Sequence, residues 1–281
     1  MFVLRDRSVE LELNFRTDWP IRQGDVFGFW DWRSRPPLNR FGMIISADCD
    51  IANGQPDQEL IYLRIIPQSD YVDIFWSRTK LLGAREQALR DLVPQLNKLR
   101  RDNMPDAEAI DSFSVSAWVM SSAAEDIADA VNVAGENRAK LLKSVDRTRK
   151  AMEFASVPLG SSCLENLLQL RNQELVSVLK QAANDLRSTR DDIFFLTGLT
   201  DQEDMSGYYV LLDQIGAVRR DQIGDSIDAV KSGQKPAYRF GTLSKTYKYA
   251  VAQRFAFLFQ KIGLPNEHND RLHAALARLN A

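Results

Sequence analysis

The chain has 281 residues, 44% of them hydrophobic and 26% charged, with a formal net charge of -2. That composition belongs to a folded globular protein of one large or two smaller domains, and it excludes a global basic field for nucleic acid, so any such contact needs a local patch. Two widely separated cysteines, Cys49 and Cys163, and two histidines near the C-terminus, His268 and His273, argue against a disulfide framework, a His-based triad and a zinc site.

In chain order, residues 1 to about 20 alternate loosely between apolar and polar side chains, the period of an edge strand. A turn at 20–24 leads into a short aromatic strand over 25–30. Residues 33–39 contain Pro36 and Pro37 and read as a loop. Residues 41–46 predict a buried strand, 48–58 a polar loop, and 59–66 a further strand stopped by Pro67. From about Ser77 the period changes: Leu81, Leu82, Leu89, Leu92, Leu96 and Leu99 recur at helical spacing, with Pro94 expected to kink the helix. Residues 102–112 are turn-like and 136–155 are helical. Ser162 followed by Glu165 has the form of a capping box, and an apolar stripe from Leu164 to Leu186 predicts one long helix behind it. Strand signals return over 193–196 and 208–212. Residues 226–234 read as a loop and 238–243 as a short strand. Ser244 is placed to cap a last helix carrying Val251, Phe255, Leu258 and Ile262. A short helix with Leu272, Leu276 and Leu279 follows the breakers Gly263 and Pro265.

The order strands, helices, strands, helix predicts an α+β protein whose two β blocks pair into one small domain. Residues 1–80 and 190–244 form its two halves, 81–189 a helical insertion, and 245–281 a C-terminal helical segment. No apolar run approaches the ~18 residues of a membrane span. The N-terminus has no basic-then-apolar leader pattern. The expectation is a cytoplasmic protein with no membrane partner. Gly-rich phosphate loops with a lysine and G-x-G-x-x-G turns are missing from the sequence, so no cofactor and no metal is expected.

Several residues carry candidate chemistry. Ser46, Asp48, Cys49 and Asp50 cluster at a strand end, where they either line a groove or organise a turn. The aromatic run Phe27, Phe29, Trp30 and Trp32 beside Arg33 and Arg35 forms either a stacking surface for single-stranded RNA or part of the core and rim. Arg138, Lys140, Lys143, Arg147, Arg149 and Lys150 make a cationic helix, read as a solvated face. Arg219 and Arg220 edge either a groove or a surface turn.

Two stretches resemble the MazF/PemK family of toxin barrels. The first is Gln23-Gly24-Asp25-Val26-Phe27, followed after the Arg35-Pro36 loop by Gly42-Met43-Ile44-Ile45-Ser46. The second runs from Val210 through Asp213-Gln214-Ile215 to Gly224, with Phe240-Gly241-Thr242-Leu243-Ser244 similar to the short closing strand of the family. The resemblance implies an SH3-like barrel that pairs as a homodimer. It also implies a toxin–antitoxin or antiphage-defence protein that cuts single-stranded RNA without metal, through the 2′-hydroxyl of the RNA. It assigns Arg40 to the scissile phosphate, while the hydroxyl residue usual in the family is missing near Ile66-Pro67. Ser46 and Asp48 of the strand-end cluster are set beside Arg40 as catalytic candidates, and Trp30, Trp32, Arg33, Arg35, Arg219 and Arg220 are the candidates for RNA contact. A second reading, from a different class, is a non-catalytic interaction or sensor protein whose barrel and helical insertion bind a partner protein such as an antitoxin.

Overall fold

A computed structural model describes residues 11–12, 20–29, 37–55, 57–104, 106–158, 160–187, 191–197, 199, 207–225 and 227–260. The chain divides into two compact units. One is built from residues 1–68 and 189–281, the other from residues 69–188.

The sheet unit opens with β1 (Leu11–Glu12), β2 (Asp25–Phe29), β3 (Phe41–Ile44), the short helix α1 (Asp48–Asn53) and β4 (Glu59–Pro67). The chain then passes into helices: α2 (Gln68–Tyr71), a π-helical segment Val72–Trp76, α3 (Ser77–Asn103), α4 (Ser112–Ser121), α5 (Ala124–Ala130), α6 (Gly135–Ala155), α7 (Leu164–Arg171) and α8 (Leu175–Asp185). It returns to the sheet with β5 (Ile193–Leu196), β6 (Tyr208–Arg219), β7 (Ile223–Gly224), the short helix α9 (Ile227–Lys231), β8 (Ala237–Leu243) and finally α10 (Lys245–Gln260). Among the described residues, no helix is long and apolar enough to cross a membrane.

The two β blocks share one sheet, in the order β1-β8-β2-β3-β4-β6-β5, with β7 added parallel to β8 and all other pairs antiparallel. The expected closed barrel is corrected to an open mixed sheet. β1 and β5 stand at its two edges, and no pairing joins them among the described residues. Both faces are covered, which is why β2 and β3 read as nearly continuous apolar runs rather than alternating ones. On one face Val26, Phe41, Met43, Leu63, Ile65 and Val210 pack with Val251 of α10. On the other, Phe27, Ile44, Leu60, Tyr62 and Val218 pack with Ile51 of α1. The Tyr62 ring stands edge-on to Phe27 at 5.1 Å between centroids and lies over two glycines. A Cβ at Gly42 or Gly216 would come within 2.6 or 2.3 Å of that ring.

The pairing of β4 with β6 shifts between Leu63 and Arg64. Leu63 opposes Ile215 while Arg64 opposes Leu211, so Leu212, Asp213 and Gln214 have no partner on β4. Extra residues on one strand bend it, and the bend falls at the Asp-Gln-Ile stretch.

The helical unit has its own core. Leu92 and Leu96 of α3, Val115 and Val119 of α4, Ile127 of α5, and Leu141 and Val145 of α6 are all fully buried in one cluster.

Several local expectations are corrected. The first helix of the insertion begins at Gln68 rather than near Ser77, reached through the π segment, and α3 continues past Pro94 to Asn103. The polar stretches 48–58 and 226–234 contain α1 and α9, and residues 112–130 hold the unforeseen α4 and α5. The stripe from Leu164 to Leu186 is two helices, broken where Asn172 takes a left-handed conformation at φ 50°; asparagine tolerates that region better than most residues. The Ser162 hydroxyl does not cap α7. It donates to Asp73 Oδ1, and the same oxygen accepts the N–H groups of Cys163 and Leu164 at 2.9 and 2.7 Å. A carboxylate remote in sequence therefore satisfies the helix N-terminus that the local pattern assigned to serine.

Candidate functional site

The residues expected to form one catalytic set lie at opposite ends of β3. Arg40 precedes the strand and Ser46 follows it, six residues on, which at about 3.3 Å per residue of extended chain separates them by about 20 Å.

Ser46 and Asp48 hold a structural joint. Ser46 Oγ accepts the Ile61 N–H at 2.8 Å, which ties the end of β3 to β4. Asp48 Oδ1 accepts the Gln23 N–H at 2.7 Å, and its Oδ2 pairs with Lys248 Nζ of α10 at 3.2 Å. Gln23 in turn donates from Nε2 to the Ile45 carbonyl at 3.0 Å. Beside them Gly24 turns at φ +90°, and a Cβ there would meet the Lys248 side chain at 2.7 Å. Cys49 is exposed, with its sulfur 3.6 Å from Asp50 Oδ1.

The arginines after the bent strand are also engaged. Arg219 holds Asp221 through two parallel bonds of 3.1 and 3.0 Å, so its charge is answered locally. Arg220 donates from Nη1 to the Ile51 carbonyl at 2.9 Å. It thereby covers the C-terminal end of α1, where a cation meets the orphan carbonyls and the negative end of the dipole. Trp30, Trp32, Arg33 and Arg35 lie outside the described residues.

The other end of β3 is different in character. The Phe29 N–H donates to the Arg40 carbonyl at 3.1 Å, so the ladder with β2 extends to Arg40. Gly42 opposes Arg64 across β3 and β4. Two residues back along β3, Arg40 falls on the same face as Arg64 and diagonal to it, a separation of about 7–8 Å between backbones. Both arginines are half-buried. Arg64 Nη1 donates to the Leu38 carbonyl and to Asn39 Oδ1. Both acceptors are neutral, and among the described residues no carboxylate lies within ion-pair distance of this guanidinium.

The alternation along β6 carries the same face onward. Arg64 opposes Leu211, so Tyr209 shares its face, and Phe195 opposes Tyr209 across β5 and β6. The two rings meet at 5.4 Å between centroids. Tyr209 is buried, which pushes its phenol up from the ordinary value, whereas Phe195 is 43% exposed.

One face at this end of the sheet therefore carries the Arg64 guanidinium and an exposed ring, with Arg40 at a diagonal register position on the same face. Guanidinium groups bind phosphate oxygens through paired N–H donors, and an exposed ring offers a stacking face for a base. Arg64 was not anticipated from the sequence. Its signal there was a cation within the otherwise apolar residues 60–66.

Among the described residues no group of His, Cys, Asp and Glu is arranged to hold a metal. No family model, curated protein or solved structure matches the chain, so the likeness to the toxin barrels rests on the residues quoted above.

Proposed function

We propose that this chain binds single-stranded RNA at the Arg40–Arg64 end of its sheet, as a binding member of a toxin–antitoxin or antiphage-defence system. The observation that carries this reading is Arg64, a half-buried guanidinium held in place by two neutral acceptors. Its position is fixed but its charge is unanswered among the described residues, which is what a phosphate contact requires. Arg40 stands beside it and Phe195 presents a stacking face on the same side. Cleavage is left outside the proposal. The hydroxyl and carboxylate assigned to it, Ser46 and Asp48, are engaged elsewhere at the far end of β3.

The test is fluorescence anisotropy with a labelled mixed-sequence single-stranded RNA at low salt, without metal, read beside a denaturing gel of the same samples. Binding that weakens as salt rises, with the RNA left intact, is the expected result. A shortened RNA would move the protein to the nuclease class. No binding at low salt would remove the RNA reading.

A further inference from the structure

The helical unit carries a second surface whose chemistry is independent of the RNA reading. Residues 102–137 contain eight acids, from Asp102 to Glu136, and no lysine or arginine. All eight acidic side chains are exposed. Inside this stretch lies α4, which has no charged residue at all.

α4 is apolar on two sides. Val115 and Val119 face the core and are fully buried. Phe113, Ala117 and Met120, at i, i+4 and i+7, make one stripe on the outside, and Phe113 is 82% and Met120 49% exposed. A surface helix needs only one apolar face. This stripe leaves apolar surface in water that a second molecule seated on it would bury. Exposed acids flank α4 along the chain, Glu108 and Asp111 before it and Glu125 and Asp126 after it, and they favour a cationic occupant.

The same unit supplies one. Along α6, Lys140, Lys143, Arg147 and Lys150 recur at i, i+3, i+7 and i+10 and are exposed, while Leu141, Val145 and Thr148 on the opposite side are buried. Lys140 is answered by Glu136 at 2.6 Å, and Lys150 lies over the Phe154 ring at 5.4 Å. Lys143 and Arg147 make no ion pair among the described residues. An acid-flanked apolar face and a cationic stripe thus sit on one folded unit, and complementary patches on one chain close on each other under a two-fold operation.

We propose that two copies of this chain pair through their helical units, with α4 of each copy seated on the α6 cation stripe of the other. Each contact then occurs twice. The long aliphatic stems of Lys143 and Arg147 cover Phe113 and Met120, while their charged ends reach the acids flanking α4. This interface differs from the barrel-to-barrel pairing that the toxin-family resemblance implies.

The experiment is sedimentation velocity of the full-length chain from about 1 to about 100 µM at low salt. The wild type is expected to form a dimer whose dissociation constant rises with salt. Phe113→Asp should raise that constant at least about tenfold. Two charge reversals, Glu125→Lys with Asp126→Lys and Lys143→Glu with Arg147→Glu, should each be monomeric alone and should form a one-to-one dimer when mixed. All these positions are exposed, and matching circular dichroism and melting curves establish that each variant is folded. A monomeric wild type, a dimer indifferent to these changes, or reversed variants that stay monomeric on mixing would each overturn the proposal. A basic partner from elsewhere docking on α4 would show as the first of these outcomes.

Discussion

The buried pair Asp25–Arg239 gives the sharpest stability test of the sheet unit. The carboxylate is 1% and the arginine 2% exposed. Arg239 Nη1 donates to Asp25 Oδ2 at 2.8 Å and to the Pro20 carbonyl at 3.0 Å. Asp25 Oδ2 also accepts the Arg22 N–H at 3.0 Å. Taking two charges out of water costs several kcal/mol each, and their attraction returns this only while both are present. Replacing Arg239 with alanine leaves the buried carboxylate to the partly exposed Arg22, whose Nε stands 3.9 Å from Oδ1, and the expected loss approaches the ~3–5 kcal/mol of an uncompensated buried charge. Asp25→Asn keeps an acceptor oxygen for Arg239, whose Nη2 also stands 3.6 Å from Asp225 Oδ1, and should cost less. The double variant Asp25→Leu with Arg239→Met removes both charges and keeps volume, so it should be far less damaging than the sum of the single changes. Urea unfolding followed by far-UV circular dichroism, fitted for two units, measures all three. A loss below about 1 kcal/mol for Arg239→Ala would refute the reasoning, because such a value belongs to exposed ion pairs rather than buried ones.

Other expectations follow from the same geometry. Gly42→Ala drives a Cβ to within 2.6 Å of the Phe27 and Tyr62 rings and should destabilise the sheet unit by about 1–3 kcal/mol, checked by the same unfolding curves. Asp73→Ala removes the acceptor of three hydrogen bonds at the start of α7 and should cost the helical unit about 1–3 kcal/mol. Burial pushes the Cys163 thiol up from its ordinary value while Cys49 is exposed, so a thiol reagent at mildly alkaline pH should modify Cys49 first and Cys163 only when denaturant is added. The hydrogen bond from Lys80 at Asp185 and the Ser114 N–H at Asp111 hold both carboxyls below their ordinary value. Their contribution is complete above the unfolded-state value of about 4 and is lost as pH falls through the lower folded values. Acid unfolding of an Asp111→Asn, Asp185→Asn variant should therefore show less pH dependence than the wild type.

The sheet was legible in the sequence where apolar runs were short and bounded by turn residues. The strands around Phe41–Ile44, Glu59–Pro67 and Ala237–Leu243 emerge near their expected positions, because β-branched and aromatic clusters between glycines and prolines leave few alternatives. The order of the strands was not legible, since register and edge pairing depend on contacts distant in sequence. That is why an open sheet stands where a closed barrel was expected. α4 escaped notice because it is apolar on both sides and gives no periodic signal, and the break at Asn172 because its stripe continues into α8.

The candidate site follows the same division. Arg40 was singled out by its place before an apolar strand, whereas Arg64 became visible only when register set it opposite Gly42. Ser46 and Asp48 were conspicuous for their chemistry, yet the fold spends them on the Ile61 and Gln23 amides. Polar residues at strand ends commonly serve the backbone before they serve a ligand.

The most direct measurement of the central claim compares Arg64→Ala with Arg219→Ala for single-stranded RNA affinity across a salt series. Arg219 carries the same charge but is held by Asp221. Arg64→Ala is expected to weaken binding about tenfold or more and to reduce the salt slope by about 0.7, the share of one phosphate contact on a single strand, while Arg219→Ala leaves both unchanged. Equal losses from the two variants, or no loss from Arg64→Ala, would contradict that claim.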